Sequence, residues 1–115
     1  MAGETFPLVR FGQDNELVCP RCGGENLHHV AVTAYDRHED DVRETVTTIR
    51  NGLVASHREP AIATNNPSTR RHGLTISFTC EECSGDTEVI ELALAQHKGS
   101  TYLRWRSIGS RQGVP

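Results

Sequence analysis

The sequence predicts a small, mainly β domain in which antiparallel hairpins are built around two Cys-x-x-Cys knuckles separated by a long insertion. Three observations carry that expectation. The only four cysteines fall in two equally spaced pairs, Cys19/Cys22 and Cys80/Cys83. Leu74, Ile76, Phe78 and Cys80 alternate with Thr75, Ser77 and Thr79 at the period of a strand. Two turn segments, Asn51-Gly52 and His97-Lys98-Gly99-Ser100, each separate a pair of strand-like runs.

The elements follow in chain order. Residues 1–16 mix Gly, Pro and charge around the apolar patch Leu8-Val9-Arg10-Phe11 and read as a flexible N-terminal segment. Leu17-Val18 then leads into the first knuckle, Cys19-Pro20-Arg21-Cys22-Gly23-Gly24, and Leu27 to Tyr35 reads as a strand. Val42, Val46 and Ile49 fit a helical stripe, but Thr45 to Ile49 are all β-branched, which favours a strand. Asn51-Gly52 supplies the two positive-φ positions of a type I′ turn, with Leu53 to His57 as the returning arm. From Glu59 to Gly73 the composition shifts to Pro, Asn, Ser, Thr and Arg, the signature of a mobile loop. The strand Leu74 to Cys80 enters the second knuckle, Cys80-Glu81-Glu82-Cys83-Ser84-Gly85, and Glu88 to Gln96 with Thr101 to Arg106 form a last hairpin. One domain thus spans residues 17–106, with an inserted hairpin and loop at about 36–73, and residues 107–115 read as a disordered tail.

Composition explains why such a domain needs a staple. At 115 residues with 36% hydrophobic and 5% aromatic content, an apolar core alone is thin. The formal charge of −3 disfavours sequence-independent polyanion binding, but the charge is uneven: acids crowd Asp36 to Glu44, whereas Lys98, Arg104, Arg106 and Arg111 follow Glu91, the last acid. No apolar run is long enough for a membrane helix, and the first residues lack the features of a leader peptide, so a cytoplasmic protein is expected. In a reducing compartment paired cysteines are metal ligands or redox centres more often than disulfides.

Two thiolates on one tetrahedral ion need sulfurs about 3.7 Å apart, which a turn with two intervening residues supplies. Glycine after the second cysteine of each pair, Gly24 and Gly85, lets backbone N–H groups turn toward the sulfurs. Cys19, Cys22, Cys80 and Cys83 are therefore expected to close around one structural Zn²⁺, with iron as the competing metal. Cys19-Pro20-Arg21-Cys22 also has the form of a redox dithiol. Gly23-Gly24 is a poor start for the helix such a motif requires, and the second pair would have no role. The 57 residues between Cys22 and Cys80 far exceed the roughly 15–20 of a minimal four-cysteine module.

These knuckles resemble zinc ribbons. Together with His28-His29-Val30, the run Arg71-His72-Gly73 to Cys83, and Gln96-His97-Lys98-Gly99-Ser100-Thr101 ending at Trp105, they are similar to small, mostly uncharacterised zinc-ribbon proteins of actinobacteria and their bacteriophages. The resemblance implies a metal-stapled β fold and no particular activity. The expected function is a non-enzymatic adaptor or regulator that binds a macromolecule, a protein ahead of nucleic acid, with homo-oligomers through hairpin edges also open. The alternative is a nucleic-acid-binding ribbon that uses Lys98, Arg104, Trp105 and Arg106, although such a tryptophan more often packs on its own core. Arg70-Arg71-His72 is a weaker phosphate signal. A remote alternative is a zinc deaminase, since His57-Arg58-Glu59 precedes Cys80-x-x-Cys83, but that reading orphans Cys19 and Cys22. His28 and His29, beside a complete ligand set, read as ordinary strand residues.

Overall fold

Runs of β-branched and apolar residues punctuated by turn residues become six strands in the computed structural model, which describes residues 8–83 and 90–107. They are β1 (Leu27–Asp36), β2 (Arg43–Arg50), β3 (Leu53–Pro60), β4 (Gly73–Cys80), β5 (Ile90–His97) and β6 (Ser100–Ser107). All pair antiparallel in one sheet of order β3-β2-β1-β4-β5-β6. Two three-stranded meanders therefore run outward from a shared central pair, β1 and β4. The mainly β expectation holds, and the segment with an ambiguous helical stripe is the strand β2. Among the described residues, no helix is long and apolar enough to cross a membrane. Gly85, Glu88, Val89, Arg111 and the tail beyond Ser107 lie outside the described residues, as do residues 1–7.

Both tight turns have the chemistry their sequences promise. Asn51 and Gly52 lie at φ 54° and 75°, and Lys98 and Gly99 at 52° and 83°, the paired positive values of a type I′ hairpin. Lys98 occupies a position where Asn or Gly is usual, so the flanking pairs His97↔Ser100 and Gln96↔Thr101 hold it there.

The inserted hairpin is not an appendage: β2 hydrogen-bonds directly to β1, from Ala31↔Arg50 to Asp36↔Thr45. Its returning arm continues beyond His57 to Pro60, because Glu59 and Pro60 still pair with Glu44 and Arg43. The stretch expected as a mobile loop is instead stitched down. After a single 3₁₀ turn at Ala61–Ala63, Asn66 Nδ2 donates to Glu44 Oε1 and to the Arg71 carbonyl, both at 2.9 Å. Ser68 Oγ donates to the Gln96 carbonyl at 2.7 Å and accepts from the Arg71 N–H at 3.0 Å. Turn-forming composition here built local hydrogen bonds rather than disorder. The N-terminal segment likewise differs from a free arm from Leu8 on: Phe11 bridges to Leu17, and Val9 and Leu17 pack on the core.

Strand alternation gives the sheet two unlike faces. One face, under the 61–72 loop, buries Ala31, Tyr35, Val46, Thr75 and Ala93 together with the carboxylate of Glu44, only 1% exposed. The other carries the main cluster at one end of the sheet, where Ile90, Leu92 and Trp105 meet Cys19 and Cys80. Beyond that cluster the second face is open.

Gly73 is the point where loop and sheet touch most closely. A Cβ there would lie 2.0 Å from Asn66 Oδ1 and 2.8 Å from Pro67 Cδ. Gly73→Ala is expected to lower unfolding free energy by about 1–3 kcal/mol through overpacking, measured by chemical denaturation. Unchanged stability would show that the loop does not rest on the sheet.

Candidate metal centre

The sheet register assembles the centre. β1 leaves the first knuckle and β4 enters the second, and because the two strands are antiparallel with Leu27 opposite Cys80, both knuckles arrive at the same end. A β-bulge at Val30, between His29 and Ala31, adjusts the pairing there.

Each knuckle is shaped by its backbone. In the first, Gly23 donates its N–H to the Cys19 carbonyl at 2.9 Å, and Cys19 donates its own to the Gly24 carbonyl at 2.8 Å. Gly23 takes φ 80° to allow this. At Gly24 a Cβ would sit 2.5 Å from Glu82 Oε1, so a side chain there would displace the Glu82 carboxylate. The N–H groups of Arg21 and Gly24 point at the sulfurs of Cys19 and Cys22, both at 3.4 Å. The knuckles are clasped by Asn26, whose carbonyl accepts from the Glu81 N–H at 3.1 Å and whose side chain donates to Glu82. That bond, above all, lowers the Glu82 carboxyl below its usual value.

The four sulfurs all lie within 4.8 Å of one another. Cys19 and Cys83 are 3.8 Å apart, and Cys22 and Cys80 3.6 Å. A disulfide needs about 2.05 Å, whereas sulfurs on a tetrahedral ion sit about 3.7 Å apart. The cluster is therefore a preformed cage that can hold one metal ion, with four soft donors and every coordination position supplied by the chain.

Electrostatics points the same way. Burial tends to raise the Cys19 thiol, but N–H groups of the first knuckle and the neighbouring thiols outweigh it and bring the pKa down to about 7. Burial dominates at Cys80 and pushes it up to about 12, and it also raises Cys83. Without a cation the cluster resists multiple ionisation, and a bound dication supplies the charge that lets all four thiolates coexist.

Of the other residues singled out from sequence, Lys98 and Arg104 are exposed, with no ion pair among the described residues. Trp105 is not part of any contact surface: it is 0% exposed and packs edge-on against Phe78 with ring centroids 6.3 Å apart. Its register opposite Leu92 aims the indole at the core and turns Arg104 and Arg106 to the other face. Arg106 is engaged there, with Glu91 Oε1 at 3.0 Å and with the Asn65 carbonyl. His57 pairs with Glu59 at 2.8 Å on edge strand β3, and three strand spacings separate β3 from β4, so the deaminase-like trio is not assembled. His28 contacts Glu81 outside the cage.

The sequence reading missed Tyr102 and read Arg71 only as part of a weak phosphate signal. Glu39, Arg70, Arg71, His97 and Lys98 line one small pocket, and His97, Tyr102 and Arg104 line part of the next, with His97 shared. Only the pairing of β5 with β6 and the folded-down loop bring these segments together.

Metal removal is expected to unfold the end of the sheet that carries Trp105. Chelation, or Cys80→Ser, should shift tryptophan emission to the red and abolish a cooperative thermal transition; unchanged emission after complete removal would count against the cage as a structural staple. Metal loading should also release about one proton fewer at pH 8 than at pH 6, because Cys19 titrates at about 7 and is already ionised at the higher pH. Calorimetry in buffers of different ionisation enthalpy reads that difference. No protein family, curated protein or solved structure matches this chain.

Proposed function

We propose that the chain is a non-enzymatic adaptor of the zinc-ribbon kind, in which a structural Zn²⁺ fixes a sheet whose open face binds a partner protein in the cytoplasm. Zinc suits the cage because four thiolates at tetrahedral spacing satisfy it fully and leave no position for substrate or water. The observation that carries the adaptor reading is the open face itself. Ile49, Val54, Leu74, Ile76, Leu94 and Leu103 spread across five strands with no charged side chain between them, and Ile49 and Val54 are 49% and 68% exposed. A contiguous apolar surface of this kind marks an interaction site.

The test is affinity capture from the native host with the wild type and an Ile49→Lys, Val54→Lys variant. Capture should fall at least about tenfold in the variant, with one zinc retained per chain, and should persist as salt rises from about 0.1 to about 0.5 M. Capture indifferent to the two lysines would sink the proposed face.

A nucleic-acid reading keeps one specific support, the convergence of Lys98, Arg104 and Arg71, the last also 3.7 Å from Glu39, beside Tyr102, which is 54% exposed. Tyr102 replaces the buried Trp105 as the stacking side chain in that reading. Three phosphate contacts to a single strand would give a log affinity against log salt slope of roughly −2. Fluorescence anisotropy with a labelled single-stranded oligonucleotide checks it: Lys98→Gln with Arg104→Gln should flatten the slope, and a salt-insensitive or absent signal removes this reading.

A further inference from the structure

At the end of the sheet farthest from the cysteines, the open face deepens into a cavity of about 360 Å³. Ala34, Leu74 and Leu94 contribute an apolar floor, while Asp36, His72 and Thr101 stand at the rim. Such a volume lies at the small end of those that take a ligand-sized apolar group.

The rim has an uncompensated acceptor. The ion-pair contact of the Asp36 carboxylate is with His72 Nδ1 at 3.3 Å. That nitrogen already accepts the Arg37 backbone N–H at 3.0 Å, so the neutral ring has no proton to offer Asp36 from it. Two acceptors therefore face each other across 3.3 Å. Two arginines of the adjoining loops are committed elsewhere: Arg70 to Asp40 and Glu39, and Arg37 to the carbonyls of Asp41 and Thr69. Among the described residues Asp36 has no ion-pair contact other than this one with His72, and its side chain is 72% exposed.

We propose that this cavity is the anchor pocket of the adaptor face, and that it takes an apolar side chain of a partner protein flanked by a lysine or arginine. The apolar group displaces water from the Ala34–Leu74–Leu94 floor, and the cationic neighbour donates to Asp36. This proposal rests on the adaptor reading and names its partner's chemistry. An apolar anchor beside a charge-matched rim is the arrangement that concentrates binding energy in few residues.

The probes are two dipeptides, N-acetyl-Phe-Lys-amide and N-acetyl-Phe-Glu-amide, titrated into ¹⁵N-labelled, zinc-loaded full chain. The lysine dipeptide should shift amides around Ala34, Leu74 and Leu94 with a dissociation constant near 1 mM, roughly fivefold or more tighter than the glutamate dipeptide. Asp36→Asn, at an exposed position, should bring the two to equal affinity, and Ala34→Phe, which fills the floor, should remove both. Equal binding of the two dipeptides by the wild type, shifts confined to other residues, no shifts at about 20 mM, or a dimer that covers the cavity would each overturn the proposal. Partner capture that responds to Ile49→Lys, Val54→Lys but ignores Asp36→Asn and Ala34→Phe would overturn the pocket and leave the adaptor reading standing.

Discussion

Everything in this fold hangs on four sulfur atoms meeting at one end of a central strand pair. The Leu27↔Cys80 register makes that meeting possible, and the meeting in turn locks the register. A slip of one residue along β1–β4 would turn Cys80 and Phe78 to the opposite face and separate the knuckles. The buried residues around the cage, Ile90, Leu92 and Trp105, are few, so the core and the metal site are one structure rather than two. A bound ion in such a site contributes about 10–16 kcal/mol in small zinc peptides, comparable with the whole stability of an ordinary domain.

The two faces of the sheet divide the remaining work. The covered face trades apolar burial for a polar network in which Glu44, Asn66 and Ser68 hold the loop through specific bonds. Tyr35 is buried on the same face, and burial raises its phenol against the opposing pull of Arg106. The open face has no such network and no charge across its middle. Differential covering leaves the apolar side chains of one face open beyond the cysteine end.

Much of this was legible in the residues because local rules and the global fold agreed. The Cys-x-x-Cys pairs, the alternation from Leu74 to Cys80 and the Asn51-Gly52 turn each act over a few residues, so sequence sufficed. What sequence could not show depended on longer reach. The 61–72 loop looked mobile because its turn residues find partners, Glu44 and Gln96, about 20–30 positions away. Trp105 sits between two exposed-looking arginines, and its pairing with Leu92 across the hairpin decides that its ring turns inward. The pocket around Asp36 and His72 joins positions 36 residues apart, and no motif announces it.

The placement of the knuckles also sets the order in which the chain can assemble. Each Cys-x-x-Cys is a local turn able to offer two thiolates early, but the pairs are separated by 57 residues. Closing a loop of that size costs entropy that grows only as the logarithm of its length, and the inserted hairpin shortens the effective path by folding on itself. An ion held by one knuckle therefore acts as a waiting latch: β2 and β3 can zip against β1 first, and the arrival of β4 completes coordination and sheet in one step. If the ion is captured as the chain folds, closure of the β1–β4 pair and completion of the cage become one event.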